Sequence, residues 1–148
     1  MTVLEGGGID YVGAREGRRL AVTTTLSFMP GRHLDISVVG EIEDFDLADR
    51  RLFTADLYDV RVDWYFNTHL FIDTVGQEQY VRNDVALYPA GTPRRARNLA
   101  TQWQIGYQVN PWTVFYAGSS EGFQQGPENA LLPSQRTYYL KASYYFQP

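Results

Sequence analysis

The stretch LFTADLYDVRVDWYF, Leu52 to Phe66, decides how the rest of the chain is read. Tyr58, Val60, Val62, Trp64 and Phe66 occupy alternate positions, and Asp59, Arg61, Asp63 and Tyr65 fill the gaps. A period of two puts the first set on one side of an extended strand and the second on the other. One side of such a strand meets apolar surroundings and the other meets water. A helical period of 3.6 does not sort the same residues.

The rhythm continues outward in both directions. From Arg18 to Met29, Leu20, Val22, Leu26 and Phe28 oppose Arg19, Ala21, Thr23, Thr25 and Ser27. From His33 to Glu43, Leu34, Ile36, Val38, Gly40 and Ile42 oppose His33, Asp35, Ser37, Glu41 and Glu43. His69 to Arg82 alternates more weakly. Leu99 to Val109 sets Trp103, Ile105 and Tyr107 against Gln102, Gln104 and Gln108, and Trp112 to Ser119 follows. The last strand, Arg136 to Phe146, sets Tyr138, Leu140, Ala142 and Tyr144 against Tyr139, Lys141, Ser143 and Tyr145. A first strand near Ile9 to Ala14 brings the expected number to about eight.

The connections alternate as well. Pro30-Gly31-Arg32, Asn67-Thr68 and Asn110-Pro111 are tight, whereas Asp44 to Arg51, Asn83 to Arg97 and Ser120 to Gln135 read as long loops. The link around Arg15 to Gly17 is a short exception on the long-loop side. Tight turns on one rim and long loops on the other mark an up-and-down membrane barrel. Phe28, Trp64, Phe66, Tyr107 and Trp112 flank the short turns, where such a barrel carries a girdle of rings.

The expected fold is therefore all-β: an antiparallel up-and-down transmembrane β-barrel, one domain over residues 1–148 or the C-terminal part of a larger barrel. Its lipid face would carry Leu34, Ile36, Val38, Val60, Val62, Trp64, Trp103, Ile105 and Tyr107. Its lumen would carry Asp35, Glu41, Asp59, Arg61, Asp63, Gln102 and Gln104. Charges are costly against lipid and comfortable in a wet lumen, which sets this sense of the two faces. A soluble lipocalin-like barrel around an apolar ligand has the same period with the faces inverted, and stays open as the alternative.

Composition narrows the function. The 148 residues include eleven Tyr, eight Phe and three Trp, and no Cys. Tyr suits strands and wet–dry boundaries, and the missing cysteines exclude disulfides, thiolate zinc sites and thiol nucleophiles. A net charge of -4 gives no basic surface for nucleic acid. There is no apolar run of about 18 residues, so no transmembrane helix is expected. Met1 to Asp10, MTVLEGGGID, has no signal-peptide pattern, so if the protein crosses the inner membrane its export signal is expected upstream of this chain or is missing from it.

The end of the chain carries a resemblance. WQIGYQVNPWTVFYAGSSEGF (Trp103 to Phe123) and RTYYLKASYYFQ (Arg136 to Gln147) resemble the C-terminal barrel of a family of large bacterial outer-membrane proteins. Those proteins also carry an N-terminal domain similar to family-nine carbohydrate-binding modules, and their barrel region is an uncharacterised domain. VDWYFNTHLFIDTVGQEQY (Val62 to Tyr80) is similar more loosely. The resemblance implies a bacterial outer-membrane location and a structural, pore or transport-associated role. It implies as partners the outer-membrane lipids, the barrel-assembly machinery reading the closing aromatic strand, and an N-terminal domain with further strands.

Residues for chemistry are few. His33 and His69 open strands after short turns, with Asp35 and Asp73 near in sequence, but neither HExxH nor GxSxG occurs. No catalytic residue, cofactor or metal site is expected, and a membrane hydrolase using the two histidines is the remotest of three readings. Glu41, Glu43, Asp44, Asp46 and Asp49 group near one loop, where grouped carboxylates attract hard cations. Whether the loop from Glu41 to Asp49 holds one is open, since an acidic rim needs no metal. Gly6-Gly7-Gly8 lacks the context of a phosphate loop. Arg94 to Arg97 could touch lipopolysaccharide phosphates, a solvated loop being the plainer reading.

Overall fold

In the computed structural model, residues 1–48, 50–126 and 129–146 are described. The alternating segments form eight strands: β1 Thr2–Asp10, β2 Arg15–Phe28, β3 Leu34–Leu47, β4 Arg50–Tyr65, β5 Leu70–Asn83, β6 Arg95–Asn110, β7 Thr113–Gln125 and β8 Leu131–Tyr144. A three-residue 3-10 helix, Val85–Leu87, follows β5, with the Asp84 side chain accepting from the Ala86 amide at its start. All strands join one sheet in the order β1 to β8, each antiparallel to its neighbour. This is an up-and-down meander. Among the described residues no ladder joins β1 to β8, and no second layer lies over the sheet.

Several boundaries differ from the sequence reading. The first strand is Thr2–Asp10 rather than Ile9 to Ala14, and it runs through Gly6-Gly7-Gly8. Glycines carry no side chain to alternate, so periodicity could not find it. The expected long loops are mostly strand: β3 and β4 leave only residues 48–49 between them, and β7 and β8 leave 126–130. Only residues 84–94 make a long connection. The ends of the strands looked like loops because charged residues stand there on the otherwise apolar face, as Asp44, Glu121 and Arg136 do. Cross-strand ion pairs keep them extended instead, as in Asp56–Arg82 at 3.2 Å and Glu121–Arg136 at 2.9 Å.

The long connection runs along the rim. The Asp84 amide donates to the Leu52 carbonyl at 2.9 Å and its carboxylate takes the Arg50 guanidinium at 2.7 Å. Further along the loop, burial pushes the Tyr88 hydroxyl up, with the Asp10 charge adding to the shift and Arg15 opposing it. At this rim, Leu52 is fully buried and Asp10 is 7 % exposed.

Little else is buried. Among the described residues the apolar core is Ala21, Phe45 and Leu52. For a chain of this length that is a small core.

Candidate functional site

The ladder registers sort every side chain onto one of two faces. Leu34, Trp64 and Ile72 stand in one cross-strand row, followed by Ile105 and Ala117. Ile36 with Val62, Val38 with Val60, and Tyr107 with Leu70 and Phe115 extend the same face. Trp103 belongs to it through Thr74 and Ser119. All nine residues expected on the lipid side thus share one face. That face is open: Trp64 is 50 % exposed, Trp103 45 %, Tyr107 51 % and Leu140 87 %.

The apolar face ends at a charged collar toward the loop rim. Glu5 meets Arg18 between β1 and β2, Arg51 holds Asp44 at 2.9 Å and Asp46 at 3.0 Å, and Arg82 holds Asp56. Arg97 with Glu78 and Arg136 with Glu121 continue it. Between the collar and the tight-turn rim, β3 shows Leu34 to Ile42 on this face, about 26 Å at roughly 3.3 Å per residue. Strands of an outer-membrane barrel tilt by about 40°, so a run of this length rises through about 20 Å of its roughly 25 Å apolar band.

The other face holds Asp35, Glu41, Asp59, Arg61, Asp63, Gln102 and Gln104, so all seven residues expected in the lumen share it. Asp35, Asp63 and Asp73 are direct cross-strand neighbours in one row. Gln104 ends that row, donating to Asp73 at 2.7 Å. The Tyr139 hydroxyl donates to Gln104 at 3.1 Å and accepts from Gln102 at 3.3 Å. The chain of bonds therefore steps from β5 to β8. At its tight-turn end the same face carries Tyr65, Phe71 and Tyr116, with ring centres 6.1 Å apart along the series and Lys141 over Tyr116 at 5.7 Å. Sequence periodicity placed Tyr65 on the polar side but gave no sign that these three rings touch.

The remaining candidates lie at the tight-turn rim and at the loop-side strand ends. His33 Nδ1 lies 2.6 Å from the Tyr65 carbonyl and His69 Nδ1 2.7 Å from the Gln108 carbonyl. Each histidine also accepts the amide of that same partner, so both serve as ladder ends at the tight-turn rim. The acidic group is divided between faces, with Glu43 held by Arg19 at 2.7 Å on one and Asp44 and Asp46 held by Arg51 on the other. Asp49 lies outside the described residues. No group of three metal-ligating side chains occurs among the described residues.

Asp10 is the best-anchored carboxylate at the loop rim. It takes Arg15 at 2.7 Å and the Val12 and Gly13 amides at 3.1 Å each. Burial pushes its pKa up, but the Arg15 guanidinium and the two amides outweigh that and hold it below the usual range.

No protein-family model, curated protein or solved structure matches the chain. No helix among the described residues is long and apolar enough to cross a membrane, which leaves crossing by strands untouched.

Proposed function

We propose that the chain is the wall of an outer-membrane β-barrel, with its apolar face against lipid and its polar face lining a water-filled interior. Its role is structural, or that of a pore or transport-associated barrel, and it performs no catalysis. The observation that carries this reading is the open apolar face, bounded by an ion-pair collar, in a chain with almost no apolar core. In water an exposed apolar area of this extent favours association; against acyl chains it is at rest.

Energetics favour this sense of the faces. Turning Arg61 toward the bilayer midplane would cost about 2–4 kcal/mol, with a smaller cost for each aspartate of the opposite face. The reading agrees with the family resemblance of the closing segments. It extends to the barrel-assembly machinery as partner of the aromatic strand β8, and to bacterial outer-membrane lipids as surroundings. The lipocalin-like alternative needs the Trp64–Trp103–Tyr107 face turned inward around an apolar ligand.

The test is heat-modifiability on a semi-native gel after refolding into detergent micelles. A band that moves on boiling, with β-type circular dichroism only in detergent, supports the membrane wall. A soluble β-rich monomer in plain buffer overturns it and supports the ligand-binding barrel.

A further inference from the structure

One cavity lies where the apolar belt ends. It is a groove of about 770 Å³ at the loop rim, between the outer ends of β4, β5 and β6. Five arginines line it, against three aspartates. Arg50, Arg51 and Arg82 are each held by one of those aspartates, at 2.7, 2.9 and 3.2 Å. Arg94 and Arg95 meet no carboxylate within ion-pair distance among the described residues.

The register sharpens the imbalance. Arg95 stands directly opposite Arg82 in the β5–β6 ladder, like charge against like. Asp56 already answers the charge of Arg82, so Arg95 is the member of this like-charged pair left without a carboxylate among the described residues. Arg94 is set in place by its backbone, whose carbonyl accepts the Asn83 amide at 2.9 Å, while the Asn83 side chain donates to Pro93 at the same distance. Two guanidinium groups that no carboxylate answers among the described residues thus line one groove. Guanidinium forks suit phosphate oxygens bidentately.

The groove also has an apolar side. Ile42 lines it and is the last apolar residue of the β3 belt before Asp44. A headgroup in the groove would therefore have its acyl chains lying on the belt below. A free phosphate ion gains nothing from that continuity.

We propose that this groove binds the phosphomonoester headgroup of a lipid in the adjoining leaflet, with Arg94 and Arg95 as its principal ligands and Arg82 sharing the charge. This inference rests on the membrane-wall reading.

The experiment uses the full chain refolded in neutral detergent, first checked for the band shift on heating. Native mass spectrometry then measures binding of phosphatidic acid to wild type, to the Arg94→Gln and Arg95→Gln single variants and their double variant, and to Arg32→Gln, which removes one charge, as each single variant does, but at the tight-turn rim. The expected result is a phosphatidic acid adduct on wild type and Arg32→Gln, weakened in each single variant and at least tenfold in the double variant. Equal affinity in all five proteins overturns the site. Displacement of the lipid by an equal concentration of inorganic phosphate shows a free-anion site and overturns the lipid assignment. A chain that shows no band shift and stays soluble without detergent overturns the wall reading, and this inference with it. Normal shifts with equal binding leave the wall reading intact and sink only the groove.

Discussion

Tyr139 donates its hydroxyl to Gln104 across 3.1 Å, although β8 and β6 are not paired. Gly118 of β7 stands between them in register, and its missing side chain is what lets the ring pass over. A Cβ there would lie 2.8 Å from the Tyr139 hydroxyl oxygen and 2.4 Å from the Trp103 carbonyl. Gly118→Ala is therefore expected to cost about 1–3 kcal/mol, as overpacking does. Tyr139→Phe, which keeps the ring and loses the bonds, should cost about 1 kcal/mol. Equilibrium unfolding of the refolded variants measures both, and a Gly118→Ala midpoint equal to wild type would show that the bridge does not hold the strands.

Val62 lies mid-belt, opposite Ile36 and Thr74. Val62→Arg is expected to lower stability by about 2–4 kcal/mol and to reduce folding yield in lipid vesicles. Arg61→Gln, one position along and on the other face, should fold like wild type. Wild-type yield for Val62→Arg would mean that the belt does not face acyl chains.

These two faces were the part of the fold legible in the sequence. Val62 and Asp63 could be assigned to opposite sides from alternation alone, because a strand allows no other arrangement. The outer strand ends were not legible. Asp56 and Arg82 are 26 positions apart, and Glu121 and Arg136 15 apart, so their pairing exists only once the register is known. The same holds for the groove: RRAR at Arg94 to Arg97 was visible, but not that Arg95 faces Arg82. Tyr139 and Gln104 likewise join across a strand that carries nothing but a hydrogen between them.

Asp63 stands between Asp35 and Asp73 in one row. Like charges directly opposite weaken a ladder by about 0.2–1 kcal/mol. Asp63→Asn keeps the shape and removes the central charge, so it should raise the unfolding midpoint at neutral pH and low salt. The gain should shrink at high ionic strength, where exposed charges are screened. A lower midpoint would mean that Asp63 is held by attraction, with Arg61 outweighing its two acidic neighbours.

Asp10 gives the loop rim a pH dependence. Its carboxyl titrates lower in the folded chain than the ~3.9 of an unfolded one, so its stabilisation is present above that value and lost as pH falls through the folded pKa. Wild type should therefore exceed Asp10→Asn in stability at pH 7, with the gap closing as the pH falls below about 4. Chemical unfolding midpoints across that range decide it. A constant gap would show that Asp10 acts through its shape and hydrogen bonds alone.

The rings of the polar face lie against glycines. Phe71 covers Gly106, where a Cβ would fall 2.1 Å from the ring, and Phe45 covers Gly8 and Gly17. A ring standing upright from a wall takes space from whatever channel the wall encloses. Laid flat over a neighbour with no side chain, it becomes paving, and its volume is taken out of the wall's thickness instead of the bore. The placing of a few glycines one strand away from the bulkiest residues thus sets how wide a passage these strands could surround.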